Sequence, residues 1–267
     1  MRASVRIWRG LLTGCLLHAA GDPAFGDSPS QIVTDRPDVA DSTQTVPFGG
    51  LQIEAGLEYA RTGIAAGPAE RRLAVQALLR AGLTDRLEVR LEGEPLVRLR
   101  GAEEDTDHGD LTLGFRYRFL DSEEGRWWPS LGAQPFVKLP VSDAPIGSER
   151  PDFGFLALAT FALPWQWSLD VNAGLAIVGQ TRPNGHLLQA LVAASLGRPV
   201  TDRLSPYMEL FFASRAERDG RDVLGVGTGL VYLLTRGIAV DAGVETWLTG
   251  RGPDYAFRAG VSARFGR

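Results

Sequence analysis

Cysteine, histidine and lysine are nearly missing from this chain. The one cysteine is Cys15, so beyond the first 26 residues there is no disulfide and no cysteine-based metal centre. Only His108 and His186 follow that stretch, which leaves little for histidine-dependent catalysis. Lysine occurs once, as Lys138, and the net charge is −4. An acidic balance without a basic patch excludes a nucleic-acid binder, whose affinity comes from clustered cations. Long apolar runs are absent too. The longest uncharged stretch past the start, Phe153 to Leu169, falls short of the roughly 20 residues that a membrane helix needs and is broken by Pro164.

What is present begins with a leader. Arg2, Arg6 and Arg9 precede the apolar run 10–20, and Ala24-Phe25-Gly26 offers small residues before Asp27. This reads as a secretory signal peptide over residues 1–26, cleaved before Asp27. Leu12-Thr-Gly-Cys15 has the outline of a lipoprotein box, but the apolar stretch ahead of it is too short. A membrane-spanning helix is disfavoured by the same shortness.

After residue 50 the chain alternates. In Leu51-Gln-Ile-Glu-Ala-Gly-Leu-Glu-Tyr59 the odd positions are apolar and the even ones polar or glycine; 87–92 and 110–119 repeat the pattern. Successive strand side chains point to opposite faces, so each segment has one oily and one polar face. About twelve such strands are expected, near 50–60, 71–82, 85–93, 110–119, 130–139, 153–163, 165–177, 187–198, 203–212, 223–234, 237–248 and 254–265. Tight connections (83–84, 163–164, 199–202, 235–236) largely alternate with longer polar ones such as 94–109 and 140–152. An even strand number with long and short connections in turn predicts an all-β fold, an antiparallel transmembrane β-barrel of outer-membrane type over 50–267. Pro135 and Pro206 fall inside strands, where bulges or shifted strand ends are expected.

In hydrocarbon every backbone polar group must be paired, so the sheet closes, and charged alternate positions must face the lumen. That places Gln52, Glu54, Glu58, Arg72, Gln76, Arg80, Arg86, Glu88, Arg90, Glu92, Asp110, Arg116 and Arg118 inside. Gln134, Lys138, Arg203, Glu209, Asp241, Glu245, Arg258 and Arg264 follow on later strands. Glu54, Arg90, Arg116, Lys138, Glu209, Asp241 and Arg264 are the candidates for a luminal pathway. The same charges could instead pair and brace the barrel. Tyr59, Phe119, Trp127, Trp128, Trp165, Trp167, Trp247, Tyr255 and Phe265 sit at strand ends, as interfacial girdles do.

Motifs for other chemistry fail on context. Ala193-Ala-Ser195-Leu-Gly197 echoes a nucleophile elbow but lies within a strand, with Ser195 and His186 of opposite parity. Gly225-Val-Gly-Thr-Gly229 lacks the spacing and the helix of a dinucleotide site; its glycines leave room on one face, expected to be luminal. Asp105-Thr-Asp-His-Gly-Asp110 lacks the later carboxylate of a calcium loop, having Arg116 in its place. No catalytic residue, cofactor or metal is expected.

Thr34-Asp-Arg-Pro-Asp38, Gln44-Thr-Val-Pro-Phe-Gly49 and Gln52-Ile-Glu-Ala-Gly56 resemble the outer-membrane proteins grouped as the MetA-pathway of phenol degradation family, often labelled transporters. Gly82 to Arg90, Gly109 to Arg118, Lys138-Leu-Pro140, Glu209 and Gly225 to Tyr232 continue the likeness over nearly the whole chain past the leader. The resemblance implies an outer-membrane barrel linked by name to aromatic catabolism, and brings no catalytic residues.

The expected function is passive passage of small solutes, aromatic compounds among them, with outer-membrane lipids and a small-molecule solute as partners. The alternative is a non-conducting structural or interaction barrel. Residues 27–49 hold no alternating run. They form either a polar periplasmic tail or a plug in which Asp35 and Arg36 meet luminal charges such as Arg264 or Glu54, with space left by the glycines at 225–229.

Overall fold

The computed structural model describes residues 31–63, 68–101, 104–122, 127–181, 184–249 and 252–266. The signal peptide expected at 1–26 lies outside the described residues. Thirteen strands are present: β1 (Leu51–Thr62), β2 (Glu70–Thr84), β3 (Leu87–Arg100), β4 (Asp105–Asp107), β5 (Leu111–Leu120), β6 (Ser130–Leu139), β7 (Asp152–Ala162), β8 (Ser168–Thr181), β9 (Asn184–Gly197), β10 (Leu204–Ala213), β11 (Val223–Thr235), β12 (Ile238–Thr249) and β13 (Tyr255–Phe265). Twelve of them form a closed antiparallel barrel, with β1 paired to β13 and β2 to β3. The remaining strand, β4, is a three-residue addition to the far part of β3.

Alternation produces the expected two faces. Ile53, Leu57, Leu79, Leu91, Leu113, Phe155, Leu175 and Val261 are exposed on the outside, while Gln52, Glu54, Glu58, Arg80, Glu88 and Arg116 are buried within. Closure explains why this arrangement is stable in lipid: no strand edge is left with unpaired donors. One end of the barrel carries the turns 85–86, 163–167, 198–203 and 236–237 together with the longer connection between β5 and β6; the other end carries the remaining connections, most of them longer.

Several local expectations are corrected. No bulge marks either proline. Pro135 stays in register with Phe155, and its missing N–H appears as a gap in the ladder between β5 and β6. Pro206 keeps its register with Leu230, just where the pairing of β10 with β9 begins. Irregularities occur instead near Val75/Ala77, Gly82/Thr84, Arg118/Leu120, Leu224/Gly225 and Leu233/Thr235. The connection between β7 and β8 is a short 3-10 turn, Pro164–Gln166, with Trp165 80% exposed. The long loop expected after that hairpin is absent, because β8 and β9 extend to Thr181 and Asn184. Trp247 is not a girdle residue. It points inward and meets Phe211 edge-on, with ring centroids 5.8 Å apart.

Candidate functional site: the filled half of the lumen

Residues 31–50 form no strand, yet they lie inside the barrel. Near the short-turn end Ile32 donates its amide to Arg236 O (2.8 Å) and packs on Val231, Leu233 and Ala239. The chain rises to mid-barrel around residues 36–39, then returns, so that Gly49 and Gly50 pair with Gly82 beside the 85–86 turn. A segment without regular structure must find partners for its backbone elsewhere. Here luminal side chains supply them. The Asp35 amide donates to Glu54 (Oε2, 2.9 Å), Val39 to Glu209 (2.5 Å), Thr43 to Thr160 (2.9 Å) and Val46 to Glu88 (2.7 Å). Asn172 bonds Asp41 twice: its Oδ1 accepts from the Asp41 amide at 2.6 Å and its Nδ2 donates to the Asp41 carbonyl at 2.7 Å.

The densest charge sits where Arg80, Arg90 and Arg116 converge on Asp35. Arg116 grips the carboxylate with both terminal nitrogens (3.0 and 2.9 Å), Arg80 approaches to 3.1 Å, and Arg90 contacts Oδ2. The register explains the need for an anion here. Arg80 and Arg90 are direct partners across the β2–β3 hairpin, and like charges so placed repel. Asp35 and Glu88 separate them, with Glu88 taking two hydrogen bonds from Arg80 at 3.0 Å each. Asp41 completes the cluster, accepting from Arg116 (2.5 Å) and Gln134 (2.8 Å). Burial pushes the Asp35 carboxyl upward, but Arg116, Arg80 and Arg90 together hold it well below the usual carboxylate range. Burial outweighs Arg116 and Arg90 at Asp41, whose pKa is pushed up to about 6. Asp38 is raised further by burial and by the Glu209 carboxylate, although Ser195 donates to it at 2.7 Å.

Arg36 lies in a trough made by missing side chains. A Cβ on Gly56 would stand 2.2 Å from its Nη2, and one on Gly260 2.7 Å from its Nε. Its guanidinium reaches Gln76 (2.6 Å) and Asp241 (3.6 Å). The glycines at 225, 227 and 229 leave room for large neighbours, as expected, but not for the segment itself. They make room for Phe211, Glu209 and Tyr207, their cross-strand partners.

Glu54, Arg90 and Arg116 thus meet around Asp35, Asp241 faces Arg36, and Glu209 caps the Val39 amide. Two candidates stand apart. Lys138 pairs with Asp152 toward the long-loop end. Arg264 donates to Gln31 O at 3.3 Å, so the pairing of Arg264 with Asp35 or Arg36 is not observed. Arg86 and Arg203, placed inside by parity, lie exposed at the short-turn end, Arg86 with Asp121 at 2.5 Å. Asp41, Asn172 and Thr160 were not anticipated as partners. The opposed Arg80 and Arg90 were readable from the hairpin register and already demanded a buried anion.

Beyond the apex, toward the long loops, the interior changes character. Phe136, Leu156, Leu158, Val178 and Leu191 form an apolar wall on β6–β9. Across from it Arg258 joins Glu58 (3.2 Å) and Glu245, and Arg72 joins Glu58 (3.0 Å) and Glu94 (2.5 Å). Asp110, in the would-be calcium loop, accepts from Ser142 and Ser148 and so fastens loop 140–151.

The family model described as "Putative MetA-pathway of phenol degradation" matches residues 34–265. Among solved structures, the COG4313 outer membrane channel from Pseudomonas putida F1 is 15% identical, with a TM-score of 0.67 over 84% of this chain and 98% of that one. The NanC porin is 9% identical, with a TM-score of 0.54 over 80% and 98%. The KdgM porin is also 9% identical, with a TM-score of 0.53 over 80% and 99%. No curated protein sequence matches.

Proposed function

The chain belongs to the family described as "Putative MetA-pathway of phenol degradation", and from that premise we propose a passive outer-membrane channel for small solutes, aromatic compounds among them. The observation that carries this reading is the way the lumen is filled. Residues 31–50 occupy its short-turn half mainly through hydrogen bonds and ion pairs, with small apolar contacts at Ile32, Val39 and Ala40, entering and leaving at the same rim. Such a filler can withdraw without opening the barrel. Beyond it, toward the long loops, a buried apolar cluster stands across from a paired charged wall. That combination suits a solute with an aromatic body and a polar substituent, since ligand paths are mostly apolar with a few polar groups.

In this reading Asp35 and Arg36 hold the plug. Glu54, Arg90, Arg116, Glu209 and Asp241 are its receptors in the lumen, and they become pathway charges once it moves. Lys138 acts nearer the long-loop mouth. Catalysis has no place in it, and the membrane is the outer one. The buried ion pairs also favour a second reading, in which the barrel stays sealed and works as a structural or interaction module.

Deleting 27–46 while keeping the leader separates the two. A channel gains conductance in planar bilayers and admits small toxic solutes to cells. A truncated barrel that assembles, as judged by its shift between boiled and unboiled gels, yet conducts no more than the parent sinks the channel reading.

A further inference from the structure

The lipid-facing surface carries a row of arginines that the luminal network does not use. Arg61 on β1 stands opposite Arg71 on β2, and Arg71 stands opposite Arg100 on β3. Arg98 lies two residues nearer mid-barrel, opposite Leu73. All four alternate with inward residues: Ala60 and Val97 are buried, and Arg72 joins the luminal pairs with Glu58 and Glu94. Arg71, Arg98 and Arg100 are exposed.

Directly opposed side chains on paired strands have Cβ atoms about 4.5–5.5 Å apart, where like charges destabilise each other. The described residues do little to relieve this. Asp254 pairs with Arg61 at 2.6 Å, but among the described residues no carboxylate forms an ion pair with Arg71, Arg98 or Arg100. Asp105 and Asp107 on β4 stand opposite Leu99 and Val97, hence on the other face. Among the described residues the cluster is thus left without an ion-pair partner for Arg71, Arg98 and Arg100, and it can accept an anion from its surroundings.

Depth identifies which anion. Tyr59 and Tyr255 are 6.5 Å apart, and Tyr255 and Phe257 are 5.3 Å apart, forming an aromatic band beside the row, with Tyr255 opposite Arg61 and Tyr59 level with Arg98. Arg61 is two residues beyond Tyr59, about 7 Å at strand rise. Below the arginines the surface is apolar, with Leu57 and Leu96 exposed. Aromatic bands mark the level of the headgroups, and guanidinium groups bind phosphate through two parallel hydrogen bonds. A molecule with phosphate at the height of the arginines and acyl chains along the leucines satisfies both surfaces.

We propose that Arg71, Arg98 and Arg100, with Arg61 at the edge, form a docking site for the phosphorylated headgroup of a lipid in the leaflet at the long-loop end. This rests on the barrel sitting in the outer membrane and not on whether it conducts.

The test compares the detergent-purified full chain with the triple variant Arg71→Gln, Arg98→Gln, Arg100→Gln by native mass spectrometry. The probes are bis-phosphorylated lipid A, its dephosphorylated form and inorganic phosphate. The parent is expected to retain the phosphorylated lipid, and the triple variant to hold at least tenfold less while keeping its heat-dependent gel shift. Equal retention by both chains overturns the proposal. So does equal binding of the dephosphorylated lipid, or displacement of the lipid by millimolar inorganic phosphate. If the triple variant fails to assemble, Arg71→Gln and Arg98→Gln alone must each lower retention severalfold, and unchanged retention in both also overturns it.

Discussion

Replacing Asp35 by asparagine keeps the shape of the side chain and removes the charge that three guanidinium groups share. Arg80, Arg90 and Arg116 are almost wholly buried at that point, so they cannot recover their hydration without movement. Removing one member of a buried ion pair costs about 3–5 kcal/mol. Glu54, Glu88 and Asp41 remain close to the arginines, which places the cost near the low end, about 3 kcal/mol. At about 1.4 kcal/mol per tenfold, the ratio of seated to withdrawn segment should fall about 100-fold. A reporter is available because the sequence has so little cysteine. With Cys15 replaced by serine, Ala40→Cys puts a single thiol at a position with 0% exposure, packed against Ala193 and Phe211. Maleimide reaches it only when the segment leaves its seat, so Asp35→Asn should raise the labelling rate by about 100-fold. Combining it with Arg116→Gln restores charge balance and should recover part of the difference. The reasoning is refuted if Asp35→Asn changes labelling less than about threefold, or if the double variant labels faster than the single one.

Three further outcomes are expected. A released segment would ionise Asp38 and Asp41 near the ordinary 3.8, whereas both hold their protons more tightly when seated, Asp41 up to about 6. Seating therefore weakens as pH rises from about 4 to 6. Asp35 has the opposite sign, and its contribution is lost only as pH falls below its ordinary value. Relative to a free thiol labelled at the same pH, which corrects for the thiolate fraction, Ala40→Cys labelling should be at least about tenfold faster at pH 7 than at pH 4.5; a normalised rate that falls over that range contradicts the assignment. Gly227→Ala would put a Cβ 2.3 Å from Glu209 Oε1, pushing that carboxylate off the Val39 amide, and should raise labelling severalfold without altering barrel assembly. The parent protein should sediment with outer membranes and migrate differently when boiled; a soluble protein without that shift would overturn the membrane reading.

The strands were legible because a two-residue period is dictated by the pleat itself, and charge then told inside from outside. Legibility failed where the period breaks. Between Val75/Ala77 on β2 and Leu96/Gly93 on β3 the latter strand holds an extra residue. Beyond it the inward positions of β3 switch from even (Glu88, Arg90) to odd (Val97). The alternating run in the sequence therefore ends at 93, and its pattern places the arginines at 98 and 100 in a connection. Trp247 misled for a different reason: an aromatic at a strand end suits a girdle or a luminal cluster equally, and only its partner Phe211 decides. The path of residues 31–50 has no periodicity to read. Its contacts come from acids three apart: Asp35 and Asp41 share Arg116, while Asp38 between them meets Ser195 on another part of the wall.

The position of Gly49 and Gly50 has a topological consequence. Both are tied to Gly82 at the rim where Leu51 of β1 stands opposite Phe265 of β13, and Ile32 meets Arg236 at that same rim. The filler and the first strand of the wall are one continuous piece of chain, bent over the edge like a folded leaf. Withdrawal is then a swing about residues 47–50 that threads nothing through the cylinder and leaves the β1–β13 seam untouched. From residue 46 back to residue 32 the chain is fourteen residues long, about 50 Å when fully extended. It can clear the mouth completely and still be held within reach of its seat, so return is a unimolecular step, independent of protein concentration.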